Sequence, residues 1–312
     1  MKQAGRGEVL ISLMLALSLS LGIVLSALHL TAQAGLLHQH ARQQSILEDQ
    51  ANQVLELIER LLQQAGYIDV TAPMAALPAR PLSGTIDAID NASVTGVASV
   101  SGSSSASSVS SGPATGVSTK KSASLASDVL VIRLRGNTQG GVLNCAGFTV
   151  AAPSGPADAA GLSMLYVDLD PANEPELRCY FSGESQWSSH AVASGVLSFQ
   201  VRLGIDTDDD GLPNFFVSGS QLSSKVRQQA TSELSLRTRI VAVHIGLLMR
   251  STQRMATPVN QKPLRLLSEP APTCSSYQDP EAHVLPSQLK SYRLHQVFEK
   301  IIFLNNSLRP DA

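Results

Sequence analysis

Four aspartates fall within five residues at Asp206, Asp208, Asp209 and Asp210, and Gly211 follows them. Carboxylates at positions one, three and five with glycine at six are the opening spacing of a calcium loop, which needs oxygen ligands and a sharp turn. Asn214, at the ninth position, offers another oxygen, directly or through water. The twelfth position calls for a bidentate glutamate, and here it is Val217. Calcium held by Asp206, Asp208, Asp210 and Asn214 is therefore one expectation. A solvated acidic turn is the plainer one, although like charges this close repel without a cation.

Few other residues have the types and spacing of a reactive site. The seven histidines, His29, His38, His40, His190, His244, His283 and His295, form no HExxH pattern and no i, i+4 pair. Ser287-Gln288-Leu289-Lys290 fits SxxK, an acylating motif of some serine enzymes, but no companion motif goes with it. No G-x-S-x-G, phosphate loop or nicotinamide fingerprint occurs. Net charge is −2, and no basic patch suggests nucleic acid. A membrane-anchored hydrolase thus has almost nothing behind it, and the expectation is a protein that is not an enzyme and has no obligate cofactor.

Three cysteines, Cys145, Cys179 and Cys274, include no CxxC pair, so zinc-ribbon and thioredoxin readings fail. Three disulfide pairings are open. Cys145–Cys179 is favoured because both cysteines sit beside expected strands. Cys274 lies in a Pro- and Ser-rich stretch and is left over.

These residues depend on one long element for their placement. Lys2 and Arg6 precede Gly7 and Glu8, and Val9 to Leu28 then runs without a charge. About 20 such residues make a helix that crosses the hydrocarbon core of a bilayer. From Gln39 the composition turns amphipathic. Leu47, Ala51, Val54, Ile58, Leu61 and Ala65 recur at three- and four-residue steps, which is one apolar stripe of a helix. Gly66 suits a C-terminal cap. One helix over 8–66 would be roughly 90 Å long, with an apolar first half and a second half that needs a partner. The basic leader keeps its own side cytoplasmic, so the rest of the chain lies outside, where a disulfide is permitted.

Beyond the helix, Thr71 to Leu82 is rich in Ala and Pro. Ser99 to Ser127 holds 13 serines in 29 residues, too little apolar surface to offset the entropy of ordering. Strands are expected over 129–135, 148–151, 162–169, 177–182, 195–204, 239–249 and 292–304, with a short helix over 222–232. Strands without crossover helices imply a mainly antiparallel sheet. The expected fold class is α+β, one long N-terminal helix packed on that sheet. Five segments follow: a leader 1–7, the transmembrane half 8–30, the amphipathic half 31–67, a flexible linker 68–127 and a β-rich globular domain 128–312.

The start of the chain, Gly7-Glu8-Val9-Leu10-Ile11-Ser12-Leu13-Met14, resembles a type IV prepilin, in which a membrane peptidase cuts after the glycine. The resemblance implies cleavage between Gly7 and Glu8, with methylation of the new N-terminus. Two residues depart from the pattern. Glu8 stands where Phe or Met is usual, and Ser12 stands where the family carries a glutamate that pairs with a neighbour's N-terminal amine. Ile58-Glu59-Arg60-Leu61-Leu62-Gln63-Gln64-Ala65-Gly66-Tyr67 resembles the helix end of the PilW family of type IV pilus assembly proteins. Segments 128–133, 195–211, 240–251 and 293–305 resemble that family's strands and acidic turn, in the same order.

The resemblance implies a pilin-like fold and a minor pilin, non-catalytic, that helps to initiate or cap a type IV pilus. It further implies single-pass insertion in the inner membrane with a periplasmic domain, then a place at the pilus tip. The implied partners are other minor and major pilins, the inner-membrane assembly platform, the prepilin peptidase and, by family analogy, a tip adhesin. A minor pseudopilin of type II secretion is the near alternative. Ala32-Gln33-Ala34 before Gly35 fits a signal-peptidase site and sustains another, a secreted or periplasmic calcium-binding β-domain.

Overall fold

The computed structural model describes residues 6–65, 86–90, 92–94, 117–119, 127–137, 140–152, 161–182, 187–222, 240–255, 264–267, 283–284 and 292–304. Helix α1 spans Arg6–Gln64 without a break, 59 residues in all. No proline interrupts it, and its serines turn inward on the helix: Ser18, Ser20 and Ser26 donate to carbonyls three or four residues back. The two halves meet different surroundings. Ile23 is 70% exposed, whereas Ile58 is 0% exposed.

The stripe read from the sequence is the buried one. Leu47, Ala51, Val54, Leu55, Ile58, Leu61, Leu62 and Ala65 enter a single apolar core with residues from two sheets. Burying a side chain the size of Leu or Ile contributes about 1.5–3 kcal/mol, so this face is the main determinant of where the helix sits.

The first sheet has the order β1-β4-β5-β6-β7, from Ile86–Ile89, Val129–Leu134, Gly161–Leu169, Pro175–Ser182 and Trp187–Ser194. The second has the order β13-β10-β8-β9, from His295–Phe303, Ile240–Arg250, Val196–Ile205 and Phe215–Val217. All pairings within them are antiparallel. The result is the expected α+β arrangement of one long N-terminal helix on antiparallel sheet, with the sheet divided into two.

Two small two-stranded pairs lie beside the main sheets, whose central strands are apolar on both faces. Hairpin β2–β3, Ala92–Val94 with Val117–Thr119, lies against β4 and β5. Val129, Val131, Met164, Tyr166 and Tyr180 form a second cluster on the far side of the first sheet. Hairpin β11–β12, Leu264–Arg265 with His283–Val284, lies beside β13, and Leu248, Leu266 and Leu267 form a third cluster. Gly246 makes room for it, since a Cβ there would stand 2.9 Å from both Leu266 and Leu267.

Three expectations need correction. The segment 68–127 is not all linker: β1 pairs with β4, and Ile86 and Ala88 point into the core. Mean composition hid this four-residue strand between Pro-rich and Ser-rich runs. The expected strand over 148–151 is one bridge, Leu143 to Thr149. There the Asn144 side chain accepts from the amides of Ala146 and Phe148 and turns the chain. Strand β7, WSSHAVAS, was not expected, because its composition is that of a loop. The expected helix over 222–232 lies outside the described residues except for its start, where 219–222 form one helical turn.

Candidate assembly interface

The bare half of α1 is the largest unpartnered apolar surface among the described residues. From Leu10 to Leu37 every large apolar side chain is exposed. The helix is long and apolar enough to cross a membrane, and none of its most apolar stretch is buried in the protein. Lipid or other apolar helices are the surroundings that suit such a surface. Gly7 and Glu8 lie in the first helical turn. Ser12 sits on the exposed part of the helix. Ala32–Ala34 and Gly35 are continuous helix.

Burial begins at Gln43, whose amide donates to Gln253 at 2.9 Å. Gln253 belongs to the turn after β10, and this end of the domain is stitched together by polar groups. Arg293 donates to both carboxylate oxygens of Glu174, at 2.9 and 3.0 Å, and Arg250 pairs with the same carboxylate. The Arg293 hydrogen bonds hold Glu174 below the usual carboxylate range, against a smaller opposing effect of burial and with help from the Arg250 charge. Arg250 N–H also donates to the Gly195 carbonyl at 2.8 Å. Gly195 has φ +79°, and a Cβ on it would lie 2.4 Å from the Arg250 carbonyl oxygen, so only glycine fits the turn. Further up the helix, Glu59 accepts from Lys300 of β13 at 2.6 Å. At its end, Gln64 accepts from the Leu143 amide at 2.8 Å.

The acidic turn follows β8, at the opposite end of that strand from Gly195. Asp206, Asp208 and Asp210 do come together, with carboxylate oxygens within 4.8 Å of one another. The Asp206 carboxylate is occupied by its own loop: it accepts from the amides of Asp208, Asp209 and Gly211. Burial works to raise its pKa, but those amides prevail and hold the carboxyl below its usual range. Asn214 Oδ1 likewise accepts from the Thr207 amide and hydroxyl at 2.6 and 2.8 Å. Val217 is buried in β9 and supplies no ligand. These bonds are those of an Asx-type turn that holds β8 to β9, a role the spacing of the aspartates alone did not reveal.

Cys145 and Cys179 are joined, with Cα atoms 5.9 Å apart and a separation of 34 positions in sequence. Both are buried, and the bridge pins the loop after β4 to the middle of β6. Beside it Phe148 packs on Phe181, and Phe181 stacks on His190. His244 is buried in β10. Burial pushes its pKa down, partly opposed by Glu299. Cys274 and the Ser287–Lys290 motif lie outside the described residues.

The family model described as Type IV Pilus-assembly protein W matches residues 164–306, a little under half of the chain, from β5 to just past β13. No curated protein matches the sequence. Among solved structures, the Type IV-like pilin TTHA1219 from Thermus thermophilus is similar over 59% of this chain and 79% of its own, at 13% identity and a TM-score of 0.27. Over residues 164–306, then, the chain carries the sequence pattern of the Type IV Pilus-assembly protein W family, the family its sequence resembles.

Proposed function

We propose that this chain is a minor pilin-like subunit, without catalytic activity, that helps to start or cap a type IV pilus. One observation carries the reading. A single helix is bare and apolar for its first half and is the core of a β domain for its second, and that domain carries the pilus-assembly family pattern. The bare half holds the subunit in the inner membrane and then packs with other such helices in the filament. Ala16, Ser20 and Ala27 are small enough to let neighbours approach closely. The sheets face outward and contact other minor pilins. In this reading the peptidase removes residues 1–7, and Glu8 becomes the methylated N-terminus. Ser12 cannot supply the carboxylate that shaft subunits offer a neighbour's amine, which favours a place at the filament's end over repeated insertion along it.

Mass spectrometry of the N-terminus of the protein purified from its own cells tests this. Methylated Glu8 in first position is the expected result. Gly35 in first position would mean secretion without the helix and would sink the proposal. Deleting the gene should abolish or sharply reduce surface pili, and normal piliation with impaired secretion would point to a type II secretion pseudopilin.

A further inference from the structure

We infer that α1 pairs in the membrane with the α1 of a second copy of this chain, side by side and in the same direction, along one face of its bare half. This rests on the reading of α1 as a membrane anchor and names the face by which the anchor pairs. Two columns of residues mark that face, each with a strict seven-residue step. One is Ala16, Ile23, Leu30 and Leu37, and beside it runs Ser20, Ala27, Ala34 and Ala41. Columns that keep a period of seven are the seam of a left-handed two-helix supercoil, because helices at 3.6 residues per turn must bend around each other to hold such columns in contact. The Ser20 hydroxyl donates to the Leu17 carbonyl of its own helix, so it sits on the seam with its bond already made.

Within the span every face is apolar, so the informative stretch is the one beyond it. About 20 residues cross the hydrocarbon core, and Val9 to Leu28 supply them. Leu37 is then about 14 Å past the edge of that core, and it is 73% exposed. Here the seam is a narrow apolar stripe between polar flanks. His29, Gln33 and His40 lie on one side of it, and Thr31, His38 and Arg42 on the other. Lipid tails do not reach this level, and a stripe only two columns wide fits another helix. The last seam residue, Ala41, stands just before Gln43, where burial by the domain begins.

The packed half of the helix leaves the seam free. Leu36 continues the stripe that packs on the sheets and is 42% exposed, against 73% for Leu37. At 3.6 residues per turn that stripe lies about 120° around the helix from the seam. Two copies can therefore meet seam to seam with the domain-bearing faces turned away from each other. Two features select a second copy as the occupant. No acidic or basic residue lies between Glu8 and Arg42, so identical flanks of amides and imidazoles meet at neutral pH without like-charge repulsion. In a parallel pair, moreover, each column faces its own image. Ile23, Leu30 and Leu37 fill their layers, and Ala27, Ala34 and Ala41 let the backbones close up between them. Both copies cross the membrane in the same sense, which makes the pair parallel.

The test is cysteine cross-linking of the full chain in the membranes of its own cells, at its native level and with Cys274→Ser as the background. Leu37→Cys and Ala41→Cys lie on the seam, and Gln39→Cys lies on the far side of the helix. Mild oxidation should yield several-fold more dimer from the seam variants than from Gln39→Cys, and mass spectrometry should find this chain alone in the dimer. Adding Ala34→Leu to Leu37→Cys overfills a small layer and should lower the yield several-fold, with the Tm of the domain unchanged. Equal yields on both faces, no dimer, or a cross-link to a different protein would overturn the inference. A chain that still resists carbonate extraction in that case leaves the anchor intact. Loss of the chain on carbonate washing would overturn the anchor as well.

Discussion

Residues 10–37 and 47–64 are one helix under two regimes. The first part satisfies its backbone internally and leaves its side chains bare, so it is stable wherever lipid or similar helices surround it. The second part is held by an apolar stripe that two sheets cover. The same substitution should therefore have opposite consequences in the two regions. Leu61→Ala opens a cavity in the core and should cost about 2–5 kcal/mol, seen as a large fall in the denaturant midpoint of the detergent-solubilised protein. Leu21→Ala should leave the midpoint of the domain unchanged to within about 0.5 kcal/mol. Comparable losses at both positions would mean that the halves are not separate regimes.

The disulfide sharpens the contrast, because it acts only on the packed part. Replacing Cys145 and Cys179 by alanine should cost about 3–4 kcal/mol for a closed loop of this length. Far-ultraviolet dichroism would report that loss as a lower Tm for the β signal, while the helical signal of the bare half persists. Melting of both signals together would join the two regions into one cooperative unit.

A smaller effect is expected where the domain meets the start of the packed half. Glu174 has its folded pKa lowered by Arg293 and Arg250, so its contribution is present above the unfolded carboxylate pKa and is lost as pH falls through the folded value. Glu174→Gln should remove about 1 kcal/mol at neutral pH, solvent screening having discounted a side chain that is 39% exposed. The difference between variant and parent should vanish in acid. A pH-independent difference would mean that the carboxylate acts by shape alone. At the opposite end, millimolar calcium should leave the Tm unmoved, since the loop already satisfies Asp206 and Asn214 from its own amides. A saturable rise would make that turn a metal site.

Much of this was legible in residue order. The stripe Leu47 to Ala65 announced both the packed half and the face it buries, because a period of 3.6 has one geometric meaning. Strands β4, β8 and β10 were legible from β-branched runs, and the acidic turn from its spacing. Less was legible where the decisive contact is remote. Strand β7 reads as a loop, and its pairing with β6 makes it a strand. β1 was lost inside a polar stretch, because four residues carry too little pattern to outweigh their neighbours. The Glu174 clamp joins residues 76 and 119 positions apart, and no local signal marks such a pair.

By itself, the sequence determined the long helix, its change from all-round apolar to one-sided, and the antiparallel character of the strands. These follow from local periodicity and from sterics that need no partner. The tertiary structure decided which cysteine pairs with which, that the strands divide into two sheets, and that Arg250 and Arg293 meet on the carboxylate of Glu174. Each of those depends on segments distant in the chain meeting in space, and that meeting is selected by the fit and burial of the whole core.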